Sequence, residues 1–309
     1  MLVKVVGSYV CSSDLGLLDD RHGRSSDRLP MIPGHNVTGY VEAMSSDVIG
    51  FKKGEPVAVF GAWGCGQCRL CRQGEEQLCD MRRWMGFGVD GGYAEYLRVP
   101  VQRHLIKLGK LDPVEVAPLL DAGLTPYRAV KKTLPYLYPG AVAVVIGVGN
   151  IGYFAVQIAK AISPGTIVVA VDIAEDRLEL ASQLGADHVM NARSDVAEKI
   201  KGLSGGEGAK AIIDTVGNND TLKTAAAIGA KKSIIALVGL AGGAIPRLPL
   251  ECTVTTSIWG TYTELEELLA LYTAGKIRCQ VERFPLDRIN EVLHLMETRQ
   301  IQSQAVITP

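Results

Sequence analysis

Four cysteines lie close together in the chain, and their spacing is typical of a metal site. The pattern is C-x2-C-x2-C-x7-C, and glycines at positions 64, 66 and 74 lie among the cysteines. Four thiolates in a loop that can bend at glycine suit a closed tetrahedral zinc site, in which no position remains open for a substrate. A polar loop of this kind depends on the metal for its fold. We therefore predict a structural zinc site, with the ligands Cys65, Cys68, Cys71 and Cys79.

Two other interpretations of these cysteines remain open. An iron–sulfur cluster of the bacterial type uses C-x2-C-x2-C-x3-C-P, whereas here the last interval is seven residues and Asp80 follows Cys79. Two disulfides, or four free thiols, are the second alternative. The start MLVKVVGSYVC has one lysine and no cleavage site, so we expect no signal peptide and a cytoplasmic protein. Crowded cysteines in such a chain favour a metal over disulfides.

A glycine turn between two apolar runs predicts a dinucleotide site. The run AVAVVI precedes GVGNIG, in which Gly147, Gly149 and Gly152 complete G-x-G-x-x-G, and a helical pattern follows. The first glycine permits a tight turn, the second lets a pyrophosphate approach the backbone, and the third lets the helix pack closely on the strand. The free N–H groups at the start of the helix then face the anion.

An acidic residue follows this turn at the separation expected for a ribose contact. Asp172 ends the second apolar run, 20 residues after Gly152. A carboxylate there accepts hydrogen bonds from the ribose hydroxyls and repels a 2′-phosphate, which predicts NAD rather than NADP. Taken alone, Asp172 could instead cap the next helix, and a lone glycine triplet could serve any tight turn.

The segments around these sites predict two kinds of domain. Up to about residue 120, short strands alternate with glycine turns, which favours a β-rich, barrel-like domain. From there on strands alternate with helices, which predicts an α/β fold with a doubly wound parallel sheet. The predicted strands are 2–10, 37–43, 56–60, 141–146, 167–171, 188–190, 211–215, 233–238, 254–259 and 304–308. The predicted helices are 122–133, 176–184, 195–203, 221–227, 263–274 and 286–297, and residues 16–29 are predicted as a surface loop.

Composition narrows the class of partner. The chain has 309 residues, of which 47% are hydrophobic, and a net charge of −1. This length allows two domains, and the charge gives no electrostatic case for binding nucleic acid or an anionic membrane. The longest apolar runs are too short for a membrane-spanning helix. Because 254–259 could be a sheet edge that pairs with its copy, we expect a homodimer or homotetramer.

Further motifs connect the cysteine loop with the glycine turn. They are VCSSD (10–14), PGHN (33–36), DGGYAEY (90–96), DAGLTPY (121–127) and AVITP (305–309). With them the chain resembles, over nearly its whole length, the zinc-dependent alcohol dehydrogenases of the medium-chain dehydrogenase/reductase superfamily. It is most similar to the NAD-dependent secondary-alcohol and aryl-alcohol dehydrogenases of bacteria and yeast.

The resemblance implies a domain organisation. A GroES-like catalytic domain would span 1–122, a Rossmann NAD-binding domain 123–262, and a C-terminal return to the catalytic domain 263–309. The family's first strands, which precede the strand before Cys11, would be missing.

The resemblance also implies a second, catalytic zinc site, with the ligands Cys11, His35 and Asp121. A thiolate, an imidazole and a carboxylate leave the fourth zinc position open for an alcohol or water. Taken singly, these residues have simpler interpretations. Cys11 could be a core residue at a strand end, His35 a turn residue after Pro-Gly, and Asp121 a helix cap.

The remaining site residues follow from the same resemblance. Ser13 would hydrogen-bond the reacting oxygen and take up its proton, and Asp14 would hold the free nitrogen of His35 or else be a solvated acid. Trp259 would form a wall of the substrate pocket, unless it is only a packed aromatic. The residues implied for the cofactor are Thr125, Gly147, Gly149, Asn150, Ile151, Gly152, Asp172, Arg177, Val238, Gly239 and Leu240.

The implied function is hydride transfer between NAD and a secondary or aryl alcohol, or the matching ketone or aldehyde, with two zinc ions per chain.

Four positions depart from the family pattern. Ser12 and Gly16 stand where the family has histidines, Asn36 where it has an acid, and Gln304 where it has an arginine. A catalytically impaired NAD-binding homologue or an N-terminally truncated fragment is therefore one alternative. A polyol or threonine dehydrogenase of the same superfamily is another.

Overall fold

The chain divides into two compact units in a computed structural model that describes residues 1–18, 30–301 and 303–309. Unit 1 comprises Met1–Ala122, Thr261–Leu269 and Cys279–Pro309, and unit 2 comprises Gly123–Gly260 and Ala270–Arg278. The division predicted from sequence assigned residues 270–278 to the C-terminal return, whereas this segment belongs to unit 2 here.

The strands of the described residues, in chain order, are β1 (Leu2–Tyr9), β2 (Val37–Ala43), β3 (Pro56–Val59), β4 (Tyr96–Arg98), β5 (Leu105–Lys107), β6 (Val142–Ile146), β7 (Ile167–Asp172), β8 (His188–Asn191), β9 (Ala209–Asp214), β10 (Gly229–Leu237), β11 (Thr253–Thr256), β12 (Val281–Pro285) and β13 (Gln304–Thr308). The α-helices are α1 (Ser12–Leu18), α2 (Arg69–Arg72), α3 (Pro113–Val116), α4 (Leu124–Thr133), α5 (Asn150–Ile162), α6 (Glu175–Gln183), α7 (Val196–Leu203), α8 (Asn219–Ile228), α9 (Tyr262–Thr273) and α10 (Ile289–Glu297). Short 3₁₀ helices lie at Glu76–Leu78, Gln102–His104, Ala117–Leu120, Leu134–Tyr136 and Leu286–Arg288.

Unit 1 is built on a mostly antiparallel sheet whose described strands number seven. The order is β12-β13-β1-β2-β3-β5, and β4 also pairs with β1. In β1, Val3 and Val5 are buried and the intervening Lys4 is exposed, so the alternation of the sequence places the valines in the core. The last residue of β1 lies beside the residue that precedes β2, because the amide of Tyr9 donates to the carbonyl of Asn36 at 3.1 Å.

Unit 2 is a parallel sheet with the order β11-β10-β9-β6-β7-β8 among the described strands. Counted from β6, this is the 3-2-1-4-5-6 order of a doubly wound dinucleotide-binding fold, in which ligands bind beyond the carboxyl ends of the central strands. Every residue of β6 is buried, as an apolar strand covered on both faces requires. The predicted α/β fold, with a GroES-like domain and a Rossmann sheet, is confirmed.

Two local predictions were wrong. Residues 16–18 belong to α1 rather than to a loop, because α1 buries Asp14, Gly16 and Leu17; the rest of the predicted loop, 19–29, lies outside the described residues. The strand predicted at 254–259 is Thr253–Thr256 instead, and Trp259 adopts a left-handed backbone conformation with φ of 48°. Within the described ranges, no helix has the length and apolar character needed to cross a membrane.

Candidate active site

The three ligands implied for a catalytic metal lie together in unit 1. Cys11 lies between β1 and α1, His35 lies two residues before the start of β2, and Asp121 follows the 3₁₀ helix Ala117–Leu120. One side-chain donor atom of each lies within 4.8 Å of the others. Asp121 Oδ2 is 3.3 Å from Cys11 Sγ and 3.1 Å from His35 Nε2. The pairing of β1 with β2 therefore brings together donors that are far apart in sequence.

A buried carboxylate fixes the orientation of the His35 ring. Asp14 Oδ1 lies 3.1 Å from His35 Nδ1, while Oδ2 accepts hydrogen bonds from the Cys11 amide at 2.9 Å and the Tyr93 hydroxyl at 2.7 Å. Asp14 is 1% exposed, so it is not the solvated acid of the alternative interpretation. With Nδ1 bound to a carboxylate, Nε2 is the nitrogen that remains available to a metal.

Two neighbours of this group had no role in the sequence prediction. Tyr93 lies in the DGGYAEY motif, but nothing local in that motif indicates a contact with Asp14, 79 residues away. The Phe87 ring lies against the His35 ring, with centroids 4.6 Å apart. Ser13 does have a predicted role, and its Oγ lies 3.3 Å from His35 Nε2, beside the donor atoms.

The electrostatics of these donors suit a cation. Burial raises the pKa of the Cys11 thiol, and the Asp121 carboxylate raises it further. Burial would lower the pKa of His35, but the carboxylates of Asp14 and Asp121 outweigh it and hold the pKa well above its ordinary value. The donor set of one sulfur, one imidazole nitrogen and one carboxylate oxygen, with a second carboxylate behind the imidazole, fits a three-ligand zinc site.

The glycine turn in unit 2 has the shape expected for a pyrophosphate site. Gly147 has φ of 86°, which a residue with a side chain adopts only with strain. A Cβ on Gly152 would lie 1.9 Å from the Gly147 carbonyl oxygen, whereas one on Gly149 would meet no described atom within 4 Å. Helix α5 begins after Gly149, and no side chain caps its first N–H groups.

Asp172 lies beside this turn and already accepts three backbone hydrogen bonds. Its donors are the amides of Val148 at 2.6 Å, Ile173 at 2.7 Å and Ala174 at 3.0 Å. The carboxylate thus ties the end of β7 to the glycine turn and also supports the chain that enters α6. Both interpretations offered by the sequence, ribose acceptor and support of the next helix, are compatible with this position.

The other residues implied for the cofactor and substrate lie elsewhere in unit 2. Thr125 is buried in the first turn of α4, and Arg177 lies in α6 with its Nε 3.9 Å from Asp176. Beyond β10, the amides of Val238 and Gly239 both donate to the Asp214 carbonyl, and Leu240 is 78% exposed. Trp259 is 5% exposed.

The four cysteines of unit 1 also converge. Cys65 Sγ lies 3.9 Å from Cys71 Sγ, and Cys68 Sγ lies 3.9 Å from Cys79 Sγ. Tetrahedral zinc with Zn–S bonds of about 2.3 Å separates its sulfurs by about 3.8 Å, so the spacing fits that ion. Backbone amides donate to these sulfurs, and those of Gln67 and Cys68 lower the pKa of Cys65 to about 6. The cysteines are not joined in disulfides.

A partly buried ion-pair group ties this cysteine loop to the 3₁₀ helix Gln102–His104. Glu76 accepts from the Gly64 amide at 2.8 Å and from Arg103 Nε at 3.0 Å, and lies 3.2 Å from His104 Nε2. Burial opposes its ionisation, but the hydrogen bonds from His104, Arg103 and Gly64 lower the pKa of Glu76 to about 2. Glu76 is not among the residues predicted from sequence, because its partners are distant in the chain.

Two of the positions that depart from the family pattern are buried polar side chains. Asn36 is 0% exposed, and neither its Oδ1 nor its Nδ2 has a hydrogen-bond partner within the described ranges. Gln304 is 3% exposed, and its Oε1 is likewise without a partner there. Ser12 and Gly16 lie in α1.

Comparison with known proteins matches both units. The alcohol dehydrogenase GroES-like domain matches residues 1–110, and the zinc-binding dehydrogenase domain matches residues 150–274. The NAD-dependent alcohol dehydrogenase of Sulfurisphaera tokodaii is 37% identical over 100% of this chain and 92% of its own length.

Solved structures agree with these matches. The alcohol dehydrogenase of Aeropyrum pernix has a TM-score of 0.91 and 37% identity, over 100% of this chain and 92% of that one. The acetophenone reductase of Geotrichum candidum, solved in complex with NAD, has a TM-score of 0.84 and 32% identity, over 100% of this chain and 89% of that one. The chain therefore belongs to the zinc-dependent alcohol dehydrogenases of the medium-chain dehydrogenase/reductase superfamily.

Proposed function

We propose that this chain is an NAD-dependent alcohol dehydrogenase that acts on secondary or aryl alcohols and on the matching ketones or aldehydes. The observation that carries the proposal is the convergence of Cys11, His35 and Asp121 behind a carboxylate that orients the imidazole. The similar acetophenone reductase acts, by its name, on an aryl ketone, which supports the substrate class.

Cys11, His35 and Asp121 would hold the catalytic zinc, which as a Lewis acid lowers the pKa of a substrate hydroxyl toward neutrality. Asp14 keeps the His35 ring in the orientation that presents Nε2. Ser13 Oγ, beside that nitrogen, accepts the hydroxyl proton and passes it on. Because Gly16 stands where the family has a histidine, the proton leaves Ser13 to water.

NAD carries the redox chemistry by accepting or donating the hydride. The uncapped first turn of α5 would hold the pyrophosphate, and the open space over Gly149 would let it approach the backbone. Asp172, whose carboxylate already accepts from three amides, would accept from the ribose hydroxyls and disfavour a 2′-phosphate. Thr125, Arg177, Val238, Gly239 and Leu240 would complete the cofactor contacts, and Trp259 would form a wall of the substrate pocket.

Cys65, Cys68, Cys71 and Cys79 would hold a second zinc ion with a structural role. All four ligand positions are taken by thiolates, so this ion stabilises the loop and takes no part in the reaction. Since such thiolates persist in a reducing compartment, we place the protein in the cytoplasm.

The chain forms a homodimer or homotetramer in this proposal. Strand β11 ends the described sheet of unit 2, and an uncovered edge offers unpaired N–H and C=O groups to a second copy. Leu250 and Ile258 flank β11 and are 69% and 41% exposed. Light scattering tests this, and a monomer at micromolar concentration would contradict it.

The activity is tested by following NADH absorbance with zinc-loaded protein and a panel of alcohols. We expect turnover of cyclohexanol and benzyl alcohol, with lower rates for sorbitol and L-threonine, which represent the polyol and amino-acid alternatives. Calorimetry with NAD separates the remaining alternative, since NAD binding without turnover of any alcohol would identify an impaired homologue.

A further inference from the structure

The acid at the carboxyl end of β7 has most of its hydrogen-bonding capacity taken by the backbone. Asp172 accepts from the amides of Val148, Ile173 and Ala174. A carboxylate has about four acceptor positions, so about one is left for an adenosine ribose, which offers two hydroxyl donors. Asp172 alone therefore gives the site limited means to distinguish NAD from NADP, whose ribose carries a 2′-phosphate.

A second acid follows three residues later and is held at the same edge of the sheet. Glu175 is the first residue of α6, and its Oε1 accepts a hydrogen bond from Asn191 Nδ2 at 2.5 Å. Asn191 ends β8 and is the register partner of Asp172 in the parallel sheet. The same Nδ2 lies 3.5 Å from the carbonyl oxygen of Ile173. The Glu175 carboxylate, although exposed, is therefore held beside the ends of β7 and β8.

The orientation of the Asn191 side chain is fixed by the backbone that follows β8. Its Oδ1 accepts from the Arg193 amide at 2.9 Å. Between these two residues, the Ala192 amide donates to the Asp172 carbonyl at 2.8 Å, which ties this turn to the end of β7. Because an amide oxygen only accepts and an amide NH₂ only donates, the bond to the Arg193 amide leaves Nδ2 as the group that faces Glu175.

Basic side chains lie in the same two segments. Arg177 lies in α6, two residues after Glu175, and its Nε is 3.9 Å from Asp176 Oδ2. Arg193 is exposed and follows Ala192 in the turn after β8. An arginine near the ribose accommodates the 2′-phosphate of NADP. Positive charge at this edge therefore favours NADP and opposes the preference for NAD that the acid of β7 gives.

We propose that Glu175, held in place by Asn191, is a second acid that makes this site select NAD over NADP. The inference rests on the proposed NAD site at the glycine turn. A 2′-phosphate carries up to about two negative charges, and a carboxylate within the Debye length of about 8 Å repels it. NAD has an uncharged hydroxyl at that position, so the Glu175 carboxylate acts against NADP alone. Asn191 is a positioning residue, since it acts through Glu175.

The test measures the Kd of NAD and of NADP by isothermal titration calorimetry with the zinc-loaded full chain and its E175Q variant. Glutamine keeps the shape and an oxygen that accepts from Asn191, and it removes only the charge. We expect E175Q to bind NADP roughly three- to tenfold more tightly than the wild type does, with the Kd of NAD unchanged within about twofold. Because exposed charges are screened by salt, this gain should shrink in 0.5 M salt, to roughly twofold or less.

Two further variants separate the position of the charge from its presence. E179Q makes the same change in net charge one turn further along α6, at another exposed residue, and it should bind NADP as the wild type does. N191A keeps the Glu175 charge but removes the donor that holds it, so its gain in NADP affinity should be smaller than that of E175Q. The E175Q/N191A double variant should bind NADP no more tightly than E175Q, because the two residues act as one unit.

Three results would overturn the proposal. They are an unchanged NADP affinity in E175Q, an equal gain in E179Q, and a gain in E175Q that salt does not reduce. Wild-type protein that binds neither nucleotide would refute the NAD site itself and this inference with it. Wild-type protein that binds NAD but turns over no alcohol would contradict only the proposed activity, and the comparison of E175Q with E179Q would still decide the role of Glu175.

Discussion

Replacement of Asp14 by asparagine is the sharpest perturbation of the candidate active site, because it keeps the shape and removes only the charge. Oδ1 lies 3.1 Å from His35 Nδ1, and Oδ2 accepts from the Cys11 amide at 2.9 Å and from the Tyr93 hydroxyl at 2.7 Å. An asparagine must place its NH₂ group at one of these two positions, and either choice is unfavourable.

With the NH₂ group toward Cys11, two donors face each other, because the backbone amide of Cys11 cannot accept a hydrogen bond. The buried amide is then unsatisfied, which costs about 1–3 kcal/mol of folding stability. With the NH₂ group toward His35, Nδ1 must become the acceptor and Nε2 carries the proton. A protonated Nε2 cannot bind a metal, so this orientation removes one of the three ligands.

We therefore expect D14N to bind the catalytic zinc about 10- to 100-fold more weakly than the wild type, the range typical of a lost partner of a ligating histidine. The assay is release of zinc to a chelating dye. The four-cysteine site serves as an internal reference, since its zinc should be released at the same rate in both proteins.

The Tyr93→Phe variant is the matched control for D14N. It removes one hydrogen bond to Asp14 but keeps the carboxylate and its contact with His35, so its loss of zinc affinity should be smaller. If D14N holds both zinc ions as tightly as the wild type does and turns over alcohol at the same rate, the orienting role of Asp14 is refuted.

Three further predictions concern the glycine turn, its acid and the cysteine loop. Gly149→Val fills the open space over the turn and should weaken NAD binding more than tenfold by calorimetry without changing the melting temperature. Gly152→Ala clashes with the Gly147 carbonyl and should instead lower the melting temperature. If both variants changed NAD binding and melting temperature in the same way, the assignment of the two glycines would be contradicted. D172N should lower the preference for NAD over NADP in a comparison of kcat/KM, and an unchanged ratio would mean that Asp172 serves only the backbone. E76Q should lower stability near neutral pH. Because the pKa of Glu76 is lowered from 4.5 to about 2, its contribution is complete above pH 4.5 and is lost as the pH falls toward 2. Wild-type and E76Q denaturation curves should therefore converge in acid, and a constant difference down to pH 2 would contradict this origin.

The features that sequence predicted well are those specified by neighbouring residues. The buried strand β6, the glycine turn and α5 follow one another within Val142–Ile162, and all four cysteines lie within the short segment 65–79. Periodicity and spacing over such short distances reflect local geometry directly. The doubly wound sheet followed from the alternation of these local patterns.

The features that needed more than local sequence depend on tertiary contacts. Asp121 lies 110 residues from Cys11 and 86 from His35, so only the family resemblance joined these three positions. Helix α1 was missed because Gly16 disfavours a helix locally, whereas burial of Leu17 and Asp14 holds the segment in place. The contacts of Tyr93 and Glu76 also join distant segments, and no local pattern marks either residue.

The most direct test of the central claim compares NADH formation from benzyl alcohol by the zinc-loaded wild type and by His35→Ala, at matched NAD saturation. We predict NADH formation by the wild type and a loss of at least a thousandfold in His35→Ala (about 4 kcal/mol of activation free energy), with NAD binding and the four-cysteine zinc retained. Equal rates in the two proteins, or no NADH formed by wild type that holds both zinc ions, would contradict the assignment of Cys11, His35 and Asp121 as the catalytic centre.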